Sequence, residues 1–172
     1  MSTIVEQIQN KIKSQFEGDS SGHDWSHIMR VFNMARHIQK TEGGDLEVVE
    51  LAALLHDISD HKFNGGKLDE GGKVAHALLL DLGYDLEKAN QVKYIVDNVS
   101  YKGANTPSEM NTIEGRIVQD ADRIDAIGAI GVGRTFAYGG FKNQAMYIPD
   151  LEAKLHDSFE EYANEKTCTI NH

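Results

Sequence analysis

Three places in the chain put histidine or aspartate where a folded helix would bury them. His27 recurs with Val31, Met34 and Ile38 at i+4, i+7 and i+11, so a helix would turn it toward the core. His56 follows Val49 and Ala52 at the same spacings, and Asp57 comes directly after it. Asp122 lies four residues past Val118 in an apolar stretch, with Asp120 two residues before it and Asp125 three after. An aspartate at the inner edge of a helix needs a cation, a strong set of donors or water, because an uncompensated buried carboxylate is expensive. Two readings fit each position taken alone. A histidine on an apolar face can be a hydrogen-bonded core residue or a metal ligand. Asp57 can be a helix-end residue meeting solvent, although a carboxylate at a helix C-terminus faces the unfavourable end of the dipole. The three later aspartates can form the wet side of a helix together with Arg116 and Arg123. Imidazoles and carboxylates combined would make a mixed nitrogen and oxygen donor set, suited to Mn²⁺, Fe²⁺, Ni²⁺, Zn²⁺ or Mg²⁺.

These positions need helices to hold them, and helical periodicity runs through most of the 172 residues. Ile4, Ile8, Ile12 and Phe16 predict a first helix before a Gly18–Gly22 loop. Asp24 is a good N-cap for a second, with Ile28, Val31, Phe32, Ala35 and Ile38 on its apolar stripe and Gly43-Gly44 at its end. Asp45 caps a third, carrying Val48, Val49, Leu51, Ala52, Leu54 and Leu55. The polar, Gly-rich stretch Ser59–Gly72 reads as a loop, followed by helices at about 73–82 and 85–99 and a loop over Tyr101–Met110. From Asn111 a long helix holds Ile113, Ile117, Val118, Ala121, Ile124 and Ile127 and runs into GAIGVGR. Each of Gly115, Gly128, Gly131 and Gly133 would cost such a helix about 1 kcal/mol against alanine, so either a neighbouring backbone packs closely there or the helix breaks. A last helix is expected over about 150–166. Two short runs compete as strands, Val92–Val99 and Ala145–Ile148. The first is better read as helix, and a small hairpin around Ala137–Pro149 is the alternative for the second. The expected architecture is all-α, one compact domain over 1–172, with six to seven helices.

Composition narrows the function. Hydrophobic residues make up 40% of the chain, enough for a core, and the single Cys168 excludes a disulfide framework. There is neither a membrane-length apolar run nor a signal-peptide core at the N-terminus, which gives a cytosolic expectation. A net charge of −10 repels phosphate backbones, so long nucleic acid is not an expected partner. A small phosphate-bearing ligand remains compatible, since a bound cation reverses the local field.

The blocks GHDWSHIMRV, LAALLHDISDHKF and IVQDADRIDAIGAIGVGRTF, in that order, resemble the metal-binding blocks of the HD-domain phosphohydrolases. The pattern is one His on an early helix, an adjacent His-Asp pair, and a distant Asp. The intervals here are 29 residues from 27 to 56 and 65 residues from 57 to 122. The resemblance spans about residues 20–140 and is nearest to small free-standing bacterial HD hydrolases, some of which are nucleotide pyrophosphohydrolases. It implies metal ligation by His27, His56, Asp57 and Asp122. The family's Ala-Asp-Arg/Lys element selects Asp122 over Asp120 and Asp125. It further implies a single divalent ion, with Mn²⁺ favoured, and hydrolysis of a nucleotide or related phosphate or pyrophosphate compound. Asp57 then belongs to the catalytic set together with Asp60, which matches an acidic residue that assists catalysis in related alarmone hydrolases.

Position suggests the remaining roles. Lys62 in the Gly-rich loop, Arg30 one turn after His27, Arg123 and Arg134 are candidates to bind substrate phosphate, each equally readable as a solvated or paired cation. His23, Asp24, His61 and Asp125 are candidates to brace the ligands from behind, and Asp24 doubles as a helix cap. Tyr101, Tyr138 and Tyr147 could stack on a base or pack at a rim. Family members continue for a further helix beyond a segment like NEKTCTINH, so an uncovered apolar face and a homodimer are expected here. Competing readings are a nucleotide-sensing module without turnover, a phosphodiesterase of cyclic or oligonucleotides, and a helical scaffold without a site.

Overall fold

Caps set the helix boundaries in the first half of the chain. In the computed structural model, which describes residues 2–17, 23–58, 70–158, 160–161 and 167–171, helix α1 covers Ile4–Phe16 and opens on a capping box between Thr3 and Glu6. Helix α2, Trp25–Glu42, starts where the Asp24 side chain accepts from the His27 backbone N–H at 2.8 Å. It stops at Gly43 and Gly44, whose φ of +81° and +83° lie in the left-handed region that glycine tolerates. Helix α3, Leu46–Leu55, is capped by Asp45 through the backbone N–H groups of Glu47 and Val48. All of Val48, Val49 and Leu51–Leu55 are buried, which makes α3 the central helix of the core. Helix α1 packs on α3 through Ile8 and Ile12, and α2 flanks α3 with Ile28, Val31, Phe32 and Ala35.

The second half adds α4 (Glu70–Asp81), α5 (Leu86–Val99), α6 (Ile113–Asp125) and α7 (Gly128–Phe141). Helices α4 and α5 form an antiparallel pair that leans on α3, and α6 lies against both α2 and α3. The seven helices and a short 3₁₀ turn at Thr169–Asn171 make the described residues all-α. None of these helices is long and apolar enough to cross a membrane.

Two expectations need correction and two open alternatives are decided. The loop predicted to Gly72 ends earlier, because Glu70–Gly72 already belong to α4. The glycine signal is overridden by packing. Gly72 N–H donates to Asp97 Oδ1 of α5, and a Cβ at Gly72 would collide with that carboxylate. The long helix from 111 is two helices, broken at Ala126-Ile127. Gly128 takes φ +78° there, and Gly131 has room for no side chain against the Ala126 carbonyl. No hairpin forms around 137–149 among the described residues. Residues up to Phe141 finish α7, while the carbonyls of Ala145 and Met146 accept from the N–H groups of Thr169 and Ile170. The predicted last helix is absent over 151–158, and only 160–161 are helical among the described residues. Asn171 and Asn105 tie up the carbonyls of Leu151 and His156 in tertiary hydrogen bonds, and Ser158 Oγ accepts from Glu161 N–H as a later helix start would require. Ile127, just before α7, and Ile130, Val132 and Phe141 on it are exposed.

Candidate metal centre

Three packed helices bring the sequence-predicted ligands together. His27 sits on the first turn of α2, fully buried. His56 is the C-cap of α3, Asp57 follows in the turn, and Asp122 comes from the last turn of α6. The Nε2 atoms of His27 and His56 are 3.1 Å apart. Asp57 Oδ2 lies 3.3 Å from the first and 3.4 Å from the second. Asp122 Oδ1 lies 3.6 and 3.7 Å from the same two nitrogens. Donors each about 2.1 Å from one ion stand about 3.0 Å apart at a right angle and about 3.4 Å apart at the tetrahedral angle. The observed separations fall around those values.

The protonation of the two imidazoles shows why a cation belongs there. His56 Nδ1 is 2.9 Å from the Ala53 carbonyl, which can only accept, so Nδ1 carries the proton. His27 Nδ1 is 2.8 Å from Asp125 Oδ2 and donates to it for the same reason. Two neutral rings therefore aim Nε2 lone pairs at each other across 3.1 Å, beside two carboxylate oxygens. That arrangement repels itself unless a positive charge sits between. In the absence of metal a proton fills that need. Burial alone would lower the His56 pKa, but the charge and hydrogen bond of Asp57 and the charge of Asp122 push it up to about 9. Burial likewise works against ionised Asp57, yet the charges of the neighbouring His56 and His23 and the hydrogen bond from His23 hold it well below the usual carboxylate range. The donor set fits a divalent ion.

Behind the donors, Asp125 joins three partners. Besides His27 it accepts from Arg30 Nε at 2.6 Å and Nη2 at 3.1 Å, and from Arg134 Nη1 at 3.0 Å. Burial opposes its ionisation, but these hydrogen bonds hold the carboxyl far below its ordinary value. Asp125 thus holds the His27 ring through Nδ1. Arg30 and Arg134 spend donors on that carboxylate, so a phosphate would meet only their remaining N–H groups. Arg123 is exposed and forms no ion pair among the described residues. Asp24 serves as the cap of α2. His23 braces the carboxylate of Asp57 rather than an imidazole, with Nδ1 2.8 Å from Oδ2. Asp60, His61 and Lys62 lie outside the described residues. Of the three tyrosines, Tyr101 and Tyr147 are exposed, whereas Tyr138 lies against His23 with ring centroids 6.4 Å apart. The carbonyl of Ala53, which fixes the His56 tautomer, could not be read from the sequence, because every residue type carries that group.

Comparison with known proteins bears on this geometry. Residues 24–127 match the HD domain family. YpgQ of Bacillus subtilis, an uncharacterized protein, is 38% identical over 153 residues, which cover 88% of this chain and 74% of that protein. Its crystal structure in complex with ADP matches with a TM-score of 0.67 at 38% identity, covering 86% of this chain and 74% of that one. A Lactobacillus plantarum protein of known crystal structure matches over 100% of this chain and 80% of its own, with a TM-score of 0.81 and 31% identity. A Bacillus thuringiensis HD-superfamily hydrolase gives 0.63 at 39% identity, covering 93% of this chain and 77% of that one.

Proposed function

The chain belongs to the HD domain family, and we propose that it is a divalent-metal-dependent phosphohydrolase acting on a nucleotide or a related small phosphate or pyrophosphate compound. The observation that carries this reading is the pair of Nε2 lone pairs opposed at 3.1 Å between two carboxylates. His27, His56, Asp57 and Asp122 would hold one ion, with Mn²⁺ favoured. A divalent cation held there supplies a Lewis acid that polarises a phosphoryl oxygen and raises the acidity of water. The chain supplies orientation and charge. Asp125 and the Ala53 carbonyl keep both imidazoles in the tautomer that presents Nε2. Asp125 also clamps Arg30 and Arg134 beside the donors, where their remaining N–H groups face a developing negative charge. Asp60, three residues past Asp57, is our candidate to accept the proton of the attacking water, and Lys62 to contact phosphate. A nucleotide is favoured because the relative YpgQ was crystallised with ADP.

The test incubates metal-stripped protein with nucleoside mono- and triphosphates, each with Mn²⁺, Mg²⁺, Ni²⁺ or no added metal, and resolves the products by chromatography. Metal-dependent turnover that disappears in Asp57→Ala is expected. Release of pyrophosphate would assign α–β cleavage, and release of nucleoside would assign a phosphatase. Tight metal and nucleotide binding with no cleavage of any substrate would overturn the hydrolase reading in favour of a binding module.

A further inference from the structure

His23 precedes α2 and is one residue away from the Asp24 cap that fixes the start of the helix. Its side chain is 14% exposed, and its ring meets that of His27 nearly edge-on at 5.6 Å and 84°. Nδ1 is 2.8 Å from Asp57 Oδ2, the same oxygen that stands 3.3 and 3.4 Å from the Nε2 atoms of His27 and His56. His23, His27 and Asp57 by themselves also form a group of donor atoms close enough to surround an ion. His23 is therefore either a ligand or a hydrogen-bond donor to one. A separation of 2.8 Å is the length of a charge-assisted N–H···O bond, and it is shorter than the spacing of about 3.0 Å that two donors keep on one ion.

Asp57 gains from such a donor. It follows the C-terminal end of α3, where the helix dipole disfavours a carboxylate. His27 and His56 are each locked by a hydrogen bond from Nδ1. Among the described residues, His23 gives the Asp57 carboxylate its shortest side-chain contact.

Resting on the metal site proposed above, we propose that His23 is a positioning residue and not a fifth ligand: its Nδ1–H holds Asp57 Oδ2 in the orientation in which it meets the cation. Asparagine tests this, because its amide nitrogen takes the place of Nδ1 and donates a similar hydrogen bond but is a poor metal ligand. Mn²⁺ binding to the full chain is measured by electron paramagnetic resonance of free Mn²⁺ for wild type, His23→Ala and His23→Asn. Folding is checked by metal-free thermal melts, and His23→Leu replaces His23→Ala if the latter does not fold. His23→Ala should weaken binding about 10–100-fold, the usual effect of losing a group that orients a ligand, and His23→Asn should stay within about threefold of wild type. The visible absorption spectrum of the Co²⁺-loaded protein should be the same in all variants, since the donor atoms are unchanged. An Asn variant as weak as Ala, or a Co²⁺ spectrum that changes in both, would make His23 a ligand. Unaltered binding in His23→Ala would leave it without a role. Failure of the wild type to bind Mn²⁺ or Co²⁺ would instead refute the metal site on which the proposal rests.

Discussion

Asp125→Asn exchanges one oxygen for an NH₂ group and removes one charge, at a carboxylate on which three partners depend. Oδ2 takes His27 Nδ1 at 2.8 Å and Arg134 Nη1 at 3.0 Å, while Oδ1 takes Arg30 Nε at 2.6 Å. The carboxylate is 8% exposed, Arg134 17% and Arg30 37%. An amide keeps a single acceptor: with its oxygen in the Oδ2 place it keeps His27 and Arg134 but turns its NH₂ on Arg30 Nε, and flipped it keeps Arg30 Nε but turns its NH₂ on His27 and Arg134. Hydrogen bonds to charged groups contribute about 1.5–3 kcal/mol each, and breaking a buried ion pair costs about 3–5 kcal/mol. Water restores much of the solvation of half-exposed Arg30, which brings the expected loss to about 2–3 kcal/mol. At this chain length that corresponds to a fall in Tm of roughly 5–10 °C. The second consequence concerns the metal. In the flipped orientation Nδ1 has no acceptor, so His27 samples the tautomer that points a proton at the ion, and affinity should drop about 10–100-fold. Melts of the metal-free variant read the first effect, and Mn²⁺ titration of the folded variant reads the second. If Tm falls while the Mn²⁺ affinity stays within about threefold of wild type, Asp125 is only a staple between α2, α6 and α7, and the tautomer reasoning is wrong.

The other predictions are simpler. Adding Mn²⁺ at a hundred times its Kd should stabilise the chain by about 2.7 kcal/mol, visible as a Tm increase of roughly 5–10 °C that EDTA reverses; a melt indifferent to every divalent ion would argue against the site. Gly72→Ala forces a methyl group into the Asp97 carboxylate and should cost about 1–3 kcal/mol in urea unfolding, with metal affinity unchanged. Asp45→Ala removes the cap of α3 and should cost about 1 kcal/mol. Its pH dependence has a definite sign. The Lys88 hydrogen bond, against the opposing effect of burial, holds the Asp45 carboxyl below its ordinary value. The contribution is therefore present above the unfolded pKa of about 3.9 and lost as pH falls through the folded value. The stability gap between wild type and Asp45→Ala should accordingly narrow below about pH 4 and stay constant from pH 6 to 8.

How much of this was legible depended on whether the deciding interaction was local. Asp24, Asp45 and the Gly43-Gly44 pair act within one turn of their own helix ends, so α2 and α3 fall where the sequence places them. His27, His56, Asp57 and Asp122 announce themselves as polar residues on apolar faces, and the structure brings their donor atoms together. Gly72 was misread because its reason lies in α5: nothing between residues 59 and 72 reveals that Asp97 will lie over that backbone. The expected helix over 151–158 failed similarly, since Asn105 and Asn171 hold that stretch from distant positions. The arginines were legible as cations near the site but not as partners of one carboxylate, a fact fixed only when α7 folds back on α6.

That shared carboxylate bears on the phosphate binding proposed for a protein of net charge −10. Around the donors stand three carboxylates, Asp57, Asp122 and Asp125, against two guanidinium groups, Arg30 and Arg134. Without metal the cluster carries one net negative charge, which the raised pKa of His56 offsets by holding a proton. With a dication in place of that proton and neutral imidazoles, the balance becomes one net positive charge. A bound dication would therefore do more than polarise a bond: it would turn a neutral cluster into a positive one for an approaching phosphate. Asp125 makes the difference small enough for one ion to decide. Without it the cluster, with the His56 proton in place, is already net positive before metal binds, so phosphate binding by Asp125→Asn should depend less on Mn²⁺ than binding by wild type. Equilibrium dialysis of labelled nucleotide, with and without Mn²⁺, measures that ratio directly, and an equal metal dependence in the two proteins would sink the charge-balance account.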